Sequence, residues 1–503
     1  MSLSSALSII SSSFVTNAAE TATISGNITN ANTTGYTTKT ANVATTSYGG
    51  AEIASISRAA NSALLTQVLS STSQAASQQA ISNGLTTLAQ TVSDSSSSST
   101  ATGSSEDGQS PSAMLSNLQA ALETYESTPS SASAGDAVVT AADNLASSLN
   151  SASATVQQVR QQADSGMASS VKTINSLLTQ FTQVNATIVS GLHSGADVTN
   201  AEDARDNILT QLSQQVGIST ITNPNGSTSI YTDSGVTLFQ DTPRTVSFTA
   251  STALAAGVSG GAVTVDGVPI TGPSAPMAIQ SGALAGLATL RDTVAPEYQA
   301  QLDQIAGGLI NAFAESPQTP GSTAPTLPGL FTYPGATGVP SASAATGLAS
   351  QIEVNANVDP SQGGNVNLLR DGGISDPTNP AYTYNTTAAA SFTGRIAQLV
   401  SGLTSSMSFD PSAGLASSDS LTDYANASVS WLQGQNQQAS DQATYQNAVV
   451  TQATGALSNA TGVNLDSQMT NMLNIENTYT TSAKLLTTVT TMFNSLLAAV
   501  NPP

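Results

Sequence analysis

Both ends of the chain carry a narrow apolar stripe in which spacings of three and four residues alternate. Near the N-terminus six of the eight positions on this spacing are apolar, and near the C-terminus eight of nine are. Such a stripe is typical of a helix that pairs with another helix along one face. A single helix with so narrow a stripe buries too little surface to be stable in water, so each needs a partner.

The simplest partner for each terminal helix is the helix at the other end of the chain. We therefore predict that residues 1–36 and 465–503 form one coiled-coil assembly domain. The predicted interface consists of Leu3, Leu7, Ile10, Phe14, Ile24 and Ile28 in the first helix and Ile475, Tyr479, Leu486, Val489, Phe493 and Leu496 in the last. The pattern alone leaves open an alternative, in which the two are ordinary core helices of a monomeric bundle.

The composition excludes several classes of function. The 503 residues carry a formal net charge of −21 with only 8% charged residues, so clustered basic side chains for nucleic acid or anionic membranes are lacking. The absence of cysteine excludes disulfides and thiolate metal sites. The sequence contains no uninterrupted apolar run long enough for a transmembrane helix, so no membrane insertion is predicted. The N-terminus lacks the basic residues of a cleaved signal peptide.

Between the two ends, the residue pattern predicts a mainly α protein with a β-rich module. The body is expected to be a helical bundle, and β-branched runs separated by "NPNG" and "DSG" predict a small central β meander. A loop from Thr128 to Asp136 is predicted to end with Asp136 as the N-cap of the next helix. The predicted segments are an extended or hairpin connector at 37–60, a helical body at 61–216 and 385–464, a β-rich module at 217–282, a central helix at 283–316 and a Pro/Gly-rich irregular segment at 317–384.

No group of polar residues predicts a catalytic, metal or cofactor site. His193 is the only histidine and is expected at a surface helix end. Asp371 and Asp376 lie in a glycine-rich turn without the spacing of a calcium loop. The densest charge cluster is interpreted as a solvated helix face with local ion pairs rather than as paired catalytic carboxylates. It consists of Glu202, Asp203, Arg205 and Asp206.

Four segments resemble the bacterial flagellar axial proteins, and one of them is the predicted central helix from Ser281 to Ser316. "GNITNANTTGYTTKTANV" is similar to the N-terminal signature of that family, in which an Asn-rich helix end runs into extended chain. "DARDNILTQLSQQVGIS" and "TGVNLDSQMTNML" resemble an internal helix and the C-terminal helix of the family members found at the hook–filament junction. The matching motif residues are Asn27, Ile28, Asn30, Asn32, Thr33, Gly35 and Tyr36 near the N-terminus and Gly462, Val463, Asn464, Leu465 and Asp466 near the C-terminus.

This resemblance implies a structural subunit, not an enzyme, that joins hook to filament by helical self-assembly of its terminal helices. It further implies secretion to the extracellular flagellum by type III export, without a cleaved signal peptide. The implied partners are further copies of the chain, the hook protein, a second junction protein or flagellin, and an export chaperone that binds the C-terminal helix. The outer domain of some members is expected to be reduced or missing here. The alternatives are a hook or distal-rod protein, or a secreted adhesin or surface protein.

Overall fold

The computed structural model describes residues 2–47, 49–93 and 110–500. Most of a serine-rich loop that the sequence predicts at 93–111 lies outside these residues. The helices are α1 Leu3–Thr29, α2 Ser62–Ala89, α3 Pro111–Ser127, α4 Ala132–Ser194, α5 Thr199–Gln215, α6 Ala283–Thr289, α7 Ala295–Ala312, α8 Leu368–Asp371, α9 Gly394–Thr404, α10 Leu421–Thr461 and α11 Leu465–Val500.

The strands are short and form small antiparallel sheets, so the predicted fold class, mainly α with a β-rich module, is confirmed. They are β1 Lys39–Thr45, β2 Ala51–Arg58, β3 Ile218–Thr222, β4 Thr228–Thr232, β5 Thr237–Gln240, β6 Thr242–Pro243, β7 Val246–Ser247, β8 Thr264–Val265, β9 Val268–Pro269, β10 Phe331–Thr332, β11 Glu353–Val354, β12 Ser406–Ser408 and β13 Ser418–Ser420.

The longest element is α4, whose 63 residues span about 95 Å at 1.5 Å per residue. It begins after Ser131, whose side-chain oxygen accepts a hydrogen bond from the N–H of Ala134. The predicted N-cap, Asp136, is therefore wrong, because a serine closer to the preceding turn caps the helix and Asp136 lies inside it. The helix ends at Gly195, which adopts a left-handed φ of 71°.

Two apolar cores lie along α4. Its first half packs with α2, α3, α7, α9 and α10 around residues such as Leu145, Leu149 and Leu302. Its second half packs with α5, α6 and the β module around Met167, Phe181 and related residues. One helix therefore belongs to both cores and joins them.

The β module is built on the second core. Strands β3, β4, β5 and β6 form a four-stranded antiparallel meander in chain order, and β7, β8 and β9 form a three-stranded one. Phe239 of β5 contacts Phe181 of α4 edge to face, with ring centroids 4.9 Å apart. This contact holds the meander against the helix.

Residues 313–384 contain little regular structure but contribute to the first core. Leu330, Phe331 and Leu369 are fully buried, and the ring of Phe331 lies edge to face on Phe313 at 5.1 Å. This segment therefore covers the helical body. A reduction or loss of the outer domain stays a prediction.

Candidate assembly site

The two terminal helices, α1 and α11, pack against each other in antiparallel orientation. Asn27 Nδ2 donates a hydrogen bond of 2.9 Å to Gln468 Oε1, and the hydroxyls of Ser13 and Ser482 are 3.0 Å apart. Moving fourteen residues back along α1 therefore moves the partner fourteen residues forward along α11. Between them, the rings of Phe14 and Tyr479 meet edge to face at 5.1 Å.

The predicted interface residues are distributed unequally along this pair. Ile10 and Ile24 are buried, whereas Leu7 is 48% exposed. Those that are partly buried are Leu3, Phe14, Ile28, Ile475, Leu486 and Val489. Tyr479, Phe493 and Leu496 are all more than half exposed, although the ring of Tyr479 contacts Phe14. Participation of the whole set in one interface stays a prediction.

The far end of α11 exposes an apolar face. By the antiparallel register, the start of α1 lies level with about Phe493, so the last two turns of α11 extend beyond it. Met492, Phe493, Leu496, Leu497 and Val500 are each more than half exposed. By length and composition alone, the stretch Leu421–Val500, which comprises α10 and α11, is apolar enough to cross a membrane, since one 18-residue window has a mean hydropathy of 1.3 and is not buried. The sequence reasoning missed this window.

The N-terminal connector binds the C-terminal chain at the break between α10 and α11. The N–H of Thr38 donates to the carbonyl oxygen of Thr461 at 2.8 Å, and the Thr38 hydroxyl donates to that of Gly462 at 2.7 Å. Gly462 is in an extended conformation, so the helix path is interrupted there. The two sequence motifs thus meet in space, and we call this meeting point the joint (residues 35–39 and 461–464).

Asn27 links four segments at the joint. Its amide nitrogen donates to the carbonyl oxygen of Lys39 at 2.8 Å and to Gln468. Its amide oxygen accepts from the Tyr36 hydroxyl and from the Lys39 N–H, both at 3.0 Å. The side chain is fully buried, and all of its hydrogen-bonding capacity is used, which fixes its orientation.

Gly35 lies where a larger residue would be strained and would have to displace a neighbouring side chain. It has a φ of 78°, and a Cβ built on it would come within 2.0 Å of Asn207 Oδ1 in α5. Glycine alone adopts this backbone conformation without strain and permits so close an approach. The connector therefore lies directly on α5.

The charge cluster of α5 is a tertiary network, and its interpretation as a solvated helix face is wrong. Arg58 at the end of β2 bonds Glu202 at 3.0 Å, Asp203 at 3.1 Å and Asp206 at 2.7 Å. Asp203 also accepts from the Thr37 hydroxyl at 2.6 Å. Asp203 is 6% exposed, because the β1–β2 hairpin covers this face of α5.

Two further cations belong to this network. The Lys39 ammonium, also buried, lies 3.6 Å from Asp203 Oδ2 and contacts Asn200. Arg205 turns the other way and donates to the carbonyl oxygen of Gly226 at 3.1 Å. The network therefore joins the connector, α5 and the β module.

Burial and charge shift several pKa values in the network. Burial opposes the charge of Arg58, but the carboxylates of Asp206, Glu202 and Asp203 outweigh it and raise the pKa of Arg58. Burial lowers the pKa of Arg205. Burial, together with the charge of Asp203, raises the pKa of Tyr36, which keeps its hydroxyl a donor to Asn27.

The other motif residues shape the two helix ends at the joint. The amide of Asn30 donates to the carbonyl oxygen of Gly26 at 2.9 Å and closes the last turn of α1, and the hydroxyl of Thr33 donates to Asn30 at 3.2 Å. The side chain of Asn464 accepts from the N–H of Ser467 at 3.0 Å and caps α11. The remaining motif residues make fewer contacts: Asn32, Leu465 and Asp466 are exposed, and Val463 is partly buried.

The sequence analysis selected Asn27 as a motif residue but none of the others that connect the joint, namely Thr37, Thr38, Lys39, Arg58 and Gln468. One signal was present. Lys39 and Arg58 are the first two cations of a chain with only ten, and they bracket the predicted hairpin. Charged side chains are seldom buried unless they are paired. Two of the few cations beside a hairpin, together with the dense acidic cluster of α5, therefore indicate a long-range ion pair.

His193 lies exposed in the last turn of α4. The part of the chain that the structure describes contains no group of three or more side chains suited to a metal ion.

Two models of known protein families match segments of the chain that contain the elements described above. Residues 101–319 match the family model of the flagellar hook-associated protein FlgK helical domain. Residues 453–499 match the family model of the flagellar basal body rod FlgEFG protein C-terminal, which covers most of α11. No curated protein matches the chain significantly.

Among solved structures, the flagellar hook junction protein FlgK from Burkholderia pseudomallei is similar over 53% of this chain and 46% of that one. The identity is 22% and the TM-score is 0.41. The matched part thus spans about half the length of that protein.

The two family models confirm the resemblance seen in the sequence, since residues 101–319 and 453–499 match domains of flagellar axial proteins. The helical part of the chain is similar to that of one particular member of these proteins, FlgK, the hook-associated protein 1.

Proposed function

We propose that the chain is a structural subunit of the bacterial flagellum that joins hook to filament and carries no enzymatic activity. The observation that carries this proposal is the match of residues 101–319 to the helical domain of a hook-associated protein. The same segment argues against a hook or distal-rod protein, which does not need this helical region. The paired terminal helices argue against an adhesin, which has no need for them.

The terminal helices supply the means of assembly. Copies associate through the α1–α11 pair, and the exposed apolar face at the end of α11 is buried against neighbouring copies. Removal of such a face from water supplies the driving force. The predicted interface residues, from Leu3 to Ile28 and from Ile475 to Leu496, line this contact.

The joint holds the helical body at a fixed angle to the terminal pair. Thr38 bonds the break between α10 and α11, and Arg58 bonds α5. Each subunit then presents its body in the same orientation when the terminal pairs stack, as a regular helical tube requires.

The partners follow from the position at the junction. The assembly contacts the hook protein on one side and a second junction protein or flagellin on the other. Before assembly an export chaperone covers α11, and the chain leaves the cell by type III export without a cleaved signal peptide. Its place is then extracellular.

Gold-labelled antibody against the chain, applied to isolated hook–filament structures, tests the proposal. We expect label in a short zone at the boundary between hook and filament, and filament loss in a strain that lacks the chain. Label along the whole hook favours the hook-protein alternative, and label on the cell body favours an adhesin. Recovery of the chain with carbonate-washed membranes indicates instead that the window in Leu421–Val500 enters a bilayer.

A further inference from the structure

A polar groove opens where α1, β1 and α11 meet. It has a volume of about 380 Å³ and is lined by Glu20 and Thr23 of α1, Thr40 of β1, and Asn471, Asn474 and Thr478 of α11, among others. The groove lies beside the paired helices and is open to solvent, so a side chain from outside has access to it.

Glu20 is the charged group of this groove without a counter-charge. It is the only charged residue in α1, it is partly buried, and it forms no ion pair with any described residue. Burial raises its pKa. Lys39 also lines the groove, but its ammonium is engaged by Asp203 and Asn200. A partly desolvated carboxylate of this kind is stabilised by a cation brought close to it.

Few cations of the chain are free to pair with the Glu20 carboxylate. Seven of the ten are engaged internally; they are Lys39, Arg58, Arg160, Arg205, Arg291, Arg370 and Arg395. Of the others, Arg244 pairs with Asp266 at 3.6 Å. Among the described residues, this leaves Lys172 in α4 and Lys484 in α11 exposed and without an ion pair.

Lys484 cannot reach Glu20 of its own chain. The antiparallel register places Glu20 level with Ile475, nine residues before Lys484, and nine helical residues span about 13 Å. Lys484, the only cation of the two terminal helices, therefore lies too far along the helix pair to bond Glu20 of the same chain.

We propose that Lys484 of a second copy enters this groove and pairs with Glu20. The inference rests on the proposed function, in which copies associate through their terminal helices, and it names the contact that sets their axial stagger. Apart from Glu20 and Lys484, the terminal helices carry only two charged residues, Asp466 and Glu476, and both are exposed on α11. An ion pair at the partly buried Glu20 therefore distinguishes one stagger from others that bury similar apolar area.

Zero-length cross-linking tests the contact in the unaltered protein. A carbodiimide activates the Glu20 carboxyl, the Lys484 amine displaces the activating group as a urea, and an amide bond remains. The chain has only three lysines, so the products are few. An assembled mixture of ¹⁴N-labelled and ¹⁵N-labelled protein distinguishes links between copies from links within one copy by peptide mass.

We expect a Glu20–Lys484 link between copies of different label in the assembled fraction and its absence in the monomer. Lys172 is the matched control, because it is also exposed but lies on the helical body, and it should give no link to Glu20. A link of Lys484 to another carboxylate in place of Glu20, or a Glu20–Lys484 link within a single copy, overturns the proposal.

Charge reversal gives the functional readout. Glu20→Lys and Lys484→Glu should each raise the critical concentration for assembly about tenfold, and the double variant should return it close to the wild-type value. Lys172→Glu should leave it unchanged. Two single variants that assemble like the wild type, or a double variant that stays impaired, contradict the pairing. The proposed function fails separately, if the chain is absent from the hook–filament boundary.

Discussion

The hydroxyl of Thr38 donates a hydrogen bond of 2.7 Å to the carbonyl oxygen of Gly462, 424 residues further along the chain. This bond joins the N-terminal connector to the interruption between α10 and α11. Both residues belong to segments that carry the resemblance to the flagellar axial proteins. The contact gives those segments a common physical role, since each fixes the backbone of the other.

Substitution of Leu486 by aspartate should abolish assembly. Leu486 is partly buried on the face of α11 that continues the contacts of Tyr479 and Ser482 with α1, and a carboxylate there is desolvated without a partner. The helical body should remain folded by circular dichroism. Sedimentation should show monomer only.

Thr487→Asp is the matched control for this variant, because Thr487 is the next residue of the same helix and is exposed. It should assemble normally. Equal assembly of the two variants would remove Leu486 from the interface.

Amide hydrogen exchange on the monomer should be fast at the end of α11. Peptides from residues 485–500 should exchange at least about a hundredfold faster than peptides from α7, because few buried contacts hold the end of α11. α7 is the internal reference, with Leu302, Ala306 and Leu309 at most 1% exposed. Equally slow exchange in both, in a confirmed monomer, would indicate a finished domain and favour a free-standing adhesin.

Replacement of Arg58 by glutamine should destabilise the protein by about 2–4 kcal/mol, because three carboxylates of α5 lose their common cation. Chemical denaturation provides the measurement. Arg244→Gln is the control, since its ion pair with Asp266 is exposed and should be worth less than about 1 kcal/mol. Equal losses in the two variants would show that the network adds nothing beyond a surface pair.

Gly35→Ala should destabilise the joint through both its backbone and its contact with Asn207. Gly267 has a similar φ of 84° with open space around it, so Gly267→Ala reports the backbone strain alone. We expect Gly35→Ala to lower the free energy of unfolding by about 1–2 kcal/mol more than the control. The same loss in both variants would mean that Asn207 moves aside freely.

Asp303 should make stability depend on pH. Burial raises the pKa of Asp303 from 3.8 to about 6, despite hydrogen bonds from Gly347, Ala349 and Gln299. The folded state therefore holds this proton more tightly than the unfolded state. The stabilisation is fully present below pH 3.8 and is lost as the pH rises through about 6.

The free energy of unfolding of the wild type, minus that of Asp303→Asn, should fall by about 3 kcal/mol from pH 3.5 to pH 6.5. Denaturant titrations across this range measure the difference. A difference that stays constant, or that rises with pH, would contradict the prediction.

The sequence was sufficient for the parts of the fold that repeat a local pattern. The alternating spacing around Phe14 and Tyr479 predicted paired helices, and the "NPNG" turn predicted a strand pair at β3 and β4. These features depend on side-chain periodicity and turn chemistry, which act over a few residues.

The joint was not predictable in this way. Asp203 looks like a surface residue because its own helix offers it nothing but other charges, and only the fold brings Arg58 over it. Asn27 has the appearance of a helix-end residue, yet it is fully buried because three other segments meet on it. Burial of a polar group is decided by tertiary contacts, for which a single sequence carries no local signal.

The continuity of α4 has a mechanical consequence. This helix belongs to both cores and runs without a break from Ala132 to Ser194, so a load applied to the β module reaches the helical body along the hydrogen-bonded backbone of one element. Bending or twisting between the two cores must deform that helix rather than slide one surface over another. We therefore expect the helical body and the β module to move together, and we expect bending at short helix interruptions, such as residues 462–464 between α10 and α11.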